Sequence, residues 1–129
     1  MPDIITDVSL ETFNGLVNAL PSDSLIIIRF TAEWCGPCQR INSICDEYFK
    51  KCSNKIFPVV IDVDESIDLY VRFKRQKMLN GIPALLAYHG NNKQDVWYVP
   101  NDCILDGDIE KVKAFFNRCS THINNINKN

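Results

Sequence analysis

The segment RFTAEWCGPCQR, residues 29–40, holds two thiols, Cys35 and Cys38, separated only by Gly36 and Pro37. Cysteines at this spacing can clamp a soft metal ion, lock the chain as a structural crosslink, or cycle between dithiol and disulfide. The pair follows an apolar run, SLIIIRF at 24–30, and precedes a helical pattern, so it stands where a strand turns into a helix. A helix start presents unpaired N–H groups and the positive end of the macrodipole, and both favour an anion. Cys35 is therefore the sulfur whose thiolate is stabilised and the expected attacking group. Cys38 lies one turn deeper, within reach for a disulfide. Pro37 suits the first helical turn, where the N–H it lacks would be unpaired anyway, and Gly36 leaves room for a partner chain to approach.

The other cysteines read differently. Cys38, Cys45 and Cys52 are seven apart and share one helical stripe, so Cys45 and Cys52 are expected to be small buried hydrophobes. A zinc site built from Cys35, Cys38, Cys45 and Cys52 would need a second turn-borne pair, and the intervening residues carry a helix pattern instead. No metal is expected. A cysteine hydrolase would pair Cys35 with His89 or His122, but these are placed at a strand end and in a polar tail, as surface histidines. Cys119 falls on the apolar face of the last helix. Cys103, in a polar loop, is the candidate for an oxidation-linked dimer of an otherwise monomeric protein.

The elements that position the pair follow from hydrophobic periodicity. A short strand is expected at 3–8, then a helix from Ser9 to about Leu20 with Phe13, Leu16 and Val17 on its apolar face. The run at 24–30 suits a strand buried on both faces. One helix is expected from about Cys35 to Lys51, a strand at 56–63, and an amphipathic helix at 66–77. Strands at 84–89 and 96–99 flank the turn GNNK at 90–93, and a last helix carries Ile109, Val112, Phe115, Phe116 and Cys119. The tail at 120–129, STHINNINKN, is Asn-rich and is expected to fray. The order β-α-β-α-β-α-β-β-α predicts one layered α/β domain over 1–119, its mixed sheet of about five strands flanked by about four helices.

Composition excludes several classes. The 129 residues are 46% hydrophobic and 23% charged with net charge −2, which fits a globular domain and gives no field attracting nucleic acid or an acidic membrane. The basic stretch RFKRQK at 72–77 reads as a solvated helix face, so no nucleic-acid partner is expected. The longest apolar run, LIII at 25–28, is too short to span a bilayer. The start, MPDIITDVSLE, lacks a positive segment and an apolar stretch, so no secretory signal is read and a cytoplasmic, thiol-reducing compartment is expected.

AEWCGPC at 32–38 and GIPALL at 81–86 together resemble the two landmarks of the thioredoxin family, its active-site motif and the cis-proline loop that faces it. The element order is similar from about residue 3 to 119. The resemblance implies a thioredoxin fold and protein-disulfide reduction: Cys35 attacks a client disulfide, and Cys38 resolves the mixed disulfide. Pro83, in the cis form, would set the Ile82 backbone to pair with an extended client segment. Trp34, Ile82, Pro83, Val99 and Pro100 would form the rim that receives it. No bound cofactor is implied; electrons would come from NADPH through a flavoprotein thioredoxin reductase, in a role in electron transport and cell redox homeostasis.

Several positions depart from the family pattern. Arg29 stands where a buried aspartate is usual, and the lysine that often partners that aspartate falls near Val60. Ser43 replaces the proline that kinks the active-site helix, and Pro100 is read in place of a rim glycine. The segment NDCILDGD at 101–108 is longer than the family norm. A buried guanidinium must pair or reach water, so Glu33, Asp62 or Asp64 are its expected partners, with snorkelling to the surface as the other outcome. Near Cys38, its charge would lower that thiol's pKa, stabilise the dithiolate and make the disulfide more oxidising. These departures also admit a binding or adaptor module that makes little use of its dithiol; retention of both landmarks favours the oxidoreductase.

Overall fold

The computed structural model describes residues 3–128. Five strands form one sheet in the order β1-β3-β2-β4-β5. They are β1 (Ile5–Thr6), β2 (Leu25–Thr31), β3 (Ile56–Asp62), β4 (Ala84–His89) and β5 (Asp102–Ile104). β2 runs parallel to β3 and antiparallel to β4, and its central place explains a run that is apolar but for Arg29, since every residue from Leu25 to Phe30 is buried.

Five helices cover the sheet: α1 (Leu10–Asn18), α2 (Gly36–Arg40), α3 (Asn42–Lys51), α4 (Ile67–Arg75) and α5 (Ile109–Ile126). α1 and α4 pack Phe13, Val17, Leu69 and Phe73 against one sheet face with Ile26, Ile28 and Phe30. α3 and α5 pack Cys45, Phe49, Val112 and Phe115 against the other with Leu25 and Ile27. This alternation sends Arg29 of β2 to the α3 and α5 face. Side-chain oxygens cap two starts, α1 and α5: Ser9 accepts from the Thr12 N–H, and Asp108 from the Lys111 N–H.

Four expectations need revision. The first strand is only Ile5–Thr6, because Asp7 takes a positive φ of 47° and its carboxylate accepts from the Asp62 N–H and the Ser66 hydroxyl. The single helix expected over 35–51 is two, broken at Ile41 without a proline. There the Ile41 N–H closes a tight turn onto the Cys38 carbonyl at 3.3 Å.

Residues 96–99 form turns, not a strand. Trp97 and Tyr98 pack on the core beside Phe13, and the Tyr88 hydroxyl donates to the Tyr98 carbonyl at 2.8 Å. Pairing with β4 starts only past Pro100, where the Asn101 N–H donates to the Ala87 carbonyl. The chain does not fray at residue 120 either. α5 continues to Ile126 and Ile123 is 2% exposed, because it extends the Val112, Phe116, Cys119 stripe by one more turn.

Candidate active site

β2 ends at Thr31 and α2 begins at Gly36, so the connecting residues carry Cys35 just past the C-terminal end of the central strand. Cys35 is the N-cap of α2, and its Sγ accepts the Cys38 N–H at 3.2 Å. The sulfur thus takes the place that Ser or Asp oxygen commonly fills at a helix start. Cys35 and Cys38 are joined as a disulfide, with Cα atoms 5.2 Å apart. Cys35 is 5% exposed and Cys38 fully buried, so of the two residues only Cys35 borders solvent.

The peptide bond between Ile82 and Pro83 is cis and leads directly into β4. Pro83 is buried and Ile82 half-buried. Gly107 connects Pro83 to the dithiol helix: a Cβ placed there would lie 3.1 Å from Pro37 Cβ and its carbonyl oxygen, and 3.4 Å from Pro83 Cγ. Sequence reading passed over Gly107. Its one signal is its position directly before Asp108, the cap of α5. Gly36, by contrast, has open space where a Cβ would point, so the surface over α2 is unobstructed.

Trp34 is 68% exposed, with its indole N–H donating to Asp64 Oδ2 at 2.8 Å. An apolar ring held at the surface beside the disulfide can receive another chain. Val99 and Pro100 do not join it. Val99 lies with Asn18, Tyr88 and His89, at the end of β4 that pairs with Leu25, whereas Ala84 at the dithiol end pairs with Phe30. The two histidines gather at that far end as well, their rings stacked with centroids 3.7 Å apart, which leaves Cys35 without an imidazole.

Arg29 is 3% exposed, so it does not snorkel, and Glu33, Asp62 and Asp64 do not pair with it. Its guanidinium donates to the Cys38 carbonyl at 3.1 Å and to Asn42 Oδ1 at 2.6 Å. Asn42 in turn donates to Gln39 Oε1, and Gln39 to the Ala32 carbonyl. This chain ties the end of β2 to both sides of the helix break. Cys45 is buried as expected, and desolvation pushes its thiol up to about 11 despite the opposing charge of Arg29. Cys52 is only half-buried and closes α3, its thiol facing the Phe49 carbonyl.

The thioredoxin family model matches residues 4–102, most of the chain. The chain belongs to the thioredoxin family. Thioredoxin 1 of Plasmodium falciparum is 30% identical over 114 residues, covering 88% of this chain and all of that protein. The thioredoxin of Coprinus comatus is 31% identical over 107 residues, covering 82% of this chain and 94% of its own. The solved Malassezia sympodialis thioredoxin superposes with a TM-score of 0.68 at 19% identity, covering 93% of each chain, which bears on the fold alone. This thioredoxin-family protein is a thiol–disulfide oxidoreductase that works by dithiol–disulfide exchange. Among the described residues, no helix is long and apolar enough to cross a membrane.

Proposed function

We propose that the protein reduces client disulfides with Cys35 as nucleophile and Cys38 as resolving thiol. The observation that carries the reading is the disulfide at the start of α2, with Cys35 bordering solvent and Cys38 enclosed behind it. In the reduced protein, the Cys35 thiolate attacks one sulfur of the client, forming a Cys35–client bond and expelling the client's other sulfur as a thiolate. Cys38 loses its proton to solvent and attacks Cys35 Sγ. The Cys35–Cys38 bond forms, the bond to the client breaks, and the client leaves with both sulfurs reduced. The Cys38 N–H that bonds Cys35 Sγ supports the anionic form of the first thiol.

Trp34, Ile82 and Pro83 form the client rim, with Gly107 completing it behind Pro37 and Pro83. An extended client segment would pair with the Ile82 backbone by strand addition. Gly36 and Pro37 shape the start of α2 beneath it. The oxidised form is reset by an NADPH-dependent flavoprotein thioredoxin reductase in the cytoplasm, and the protein acts as a monomer. Cys103 is the one exposed free thiol, so an oxidation-linked dimer would run through it.

The test is reductase-coupled reduction of insulin. Turnover is expected in the wild type and none in Cys35→Ser, while Cys38→Ser should accumulate clients in covalent linkage to Cys35. A folded wild-type protein with no turnover and an empty Cys38→Ser trap would leave the adaptor reading in its place.

A further inference from the structure

Arg29 places a permanent positive charge behind the resolving cysteine. The guanidinium is buried, bonds the Cys38 main-chain oxygen and Asn42, and leaves its Nε without a partner. Its flanking residues in the sheet are Val60 on β3 and Leu85 on β4, neither of which carries charge. The titratable side chains of α3, its C-cap and α5 packed on this face are the buried thiols of Cys45 and Cys119 and the partly buried Tyr48 and Cys52. On α2 itself, Arg40 is exposed. Past the sheet end, Asp64 bonds Trp34, while Asp62 Oδ1 caps the Asp64 N–H. No carboxylate pairs with Arg29 among the described residues.

A guanidinium cannot accept a proton at any working pH. It can stabilise an anion, and it does so more strongly where the surroundings exclude water. Of the two thiols that take part in dithiol exchange, Cys38 is the one whose main-chain carbonyl the guanidinium holds.

We propose that Arg29 is a positioning residue for the resolving step, holding the Cys38 end of α2 and stabilising the Cys38 thiolate by its charge. The inference rests on the reductase reading above and adds how its second step is driven. In that step the Cys38 proton passes to solvent, and the thiolate's electron pair forms the Cys35–Cys38 bond as the bond to the client breaks. Asn42 and Gln39 keep the guanidinium in place, doing at the Ile41 break what rigid backbone chemistry would otherwise do.

Stopped-flow reaction of the reduced protein with dithiobis-nitrobenzoate separates the two steps, because each releases one coloured thiolate. The first phase reports attack by Cys35 and the second resolution by Cys38. Arg29→Met is expected to leave the first phase within about threefold and slow the second by about tenfold at pH 7, raising its pH midpoint by about one unit. Arg29→Lys should restore the second phase to within about threefold of wild type, which a purely structural role would not predict. Asn42→Asp keeps a bond to the guanidinium, neutralises its charge, and should slow the second phase in the same direction; it decides the matter should Arg29→Met not fold. Second phases equal to wild type in the folded variants would overturn the role of Arg29 alone. A wild-type protein with a first phase and no second would overturn this role together with that of Cys38.

Discussion

The indole N–H of Trp34 bonds Asp64 Oδ2 at 2.8 Å, tying the residue before Cys35 to the loop after β3. This contact fixes the tilt of an exposed ring that has few other restraints. Removing it with Asp64→Ala should lower kcat/KM for insulin reduction by about two- to fivefold, the lower range of an exposed hydrogen bond. The equilibrium with glutathione should stay unchanged. A shift in that equilibrium would show that Asp64 acts on the sulfurs and not on client docking.

Gly107 touches both prolines of the site, with 3.1 Å from its would-be Cβ to the Pro37 carbonyl oxygen. Backbone cannot retreat as a flexible side chain can. Gly107→Ala is expected to cost about 1 kcal/mol and Gly107→Val about 2–3 kcal/mol in urea unfolding. Both should slow client reduction as the Pro37–Pro83 spacing opens. Unchanged stability in the valine variant would mean that the loop before α5 yields freely.

His89 stacks on His122, and burial together with that neighbour lowers its pKa from 6.5 to about 4. Between those values the unfolded chain binds a proton that the folded chain does not. Stability is therefore full above about pH 6.5 and declines as the pH falls toward 4. Solvent screens part of this half-buried charge, so the decline should be about 1–2 kcal/mol. His89→Gln should remove it, seen as a shallower fall in urea midpoint from pH 7 to pH 4.5. Parallel profiles would place the charging elsewhere.

Ile123 is buried under the last turns of α5. Ile123→Ala should destabilise by about 2–4 kcal/mol, the cost of emptying a packed aliphatic site. A change below about 0.5 kcal/mol, the size usual for surface positions, would mean that the chain past Cys119 contributes nothing to the fold.

The Cys35–Cys38 pair, its place between β2 and α2, and the proline before β4 were all legible in the residues. Each is a local property: a near-continuous apolar run means a strand with two covered faces, and a dipeptide spacing survives any tertiary arrangement. The stripe through Ile123 was legible too, at helical spacing from Phe116 and Cys119, but polar composition between those positions outweighed it. Three features needed the third dimension. VWYV is β-branched and aromatic throughout, as a strand often is, yet Trp97 and Tyr98 pack against Phe13 and Tyr88 and not in a ladder, which Pro100 delays. Gly107 reaches the site only because the chain returns past Pro37 and Pro83 before entering α5. Arg29 announced itself as a charge in an apolar strand, and charge alone suggested a carboxylate partner. Its true partners, a carbonyl at a helix break and an amide one residue beyond Ile41, exist only once α2 has ended where it does.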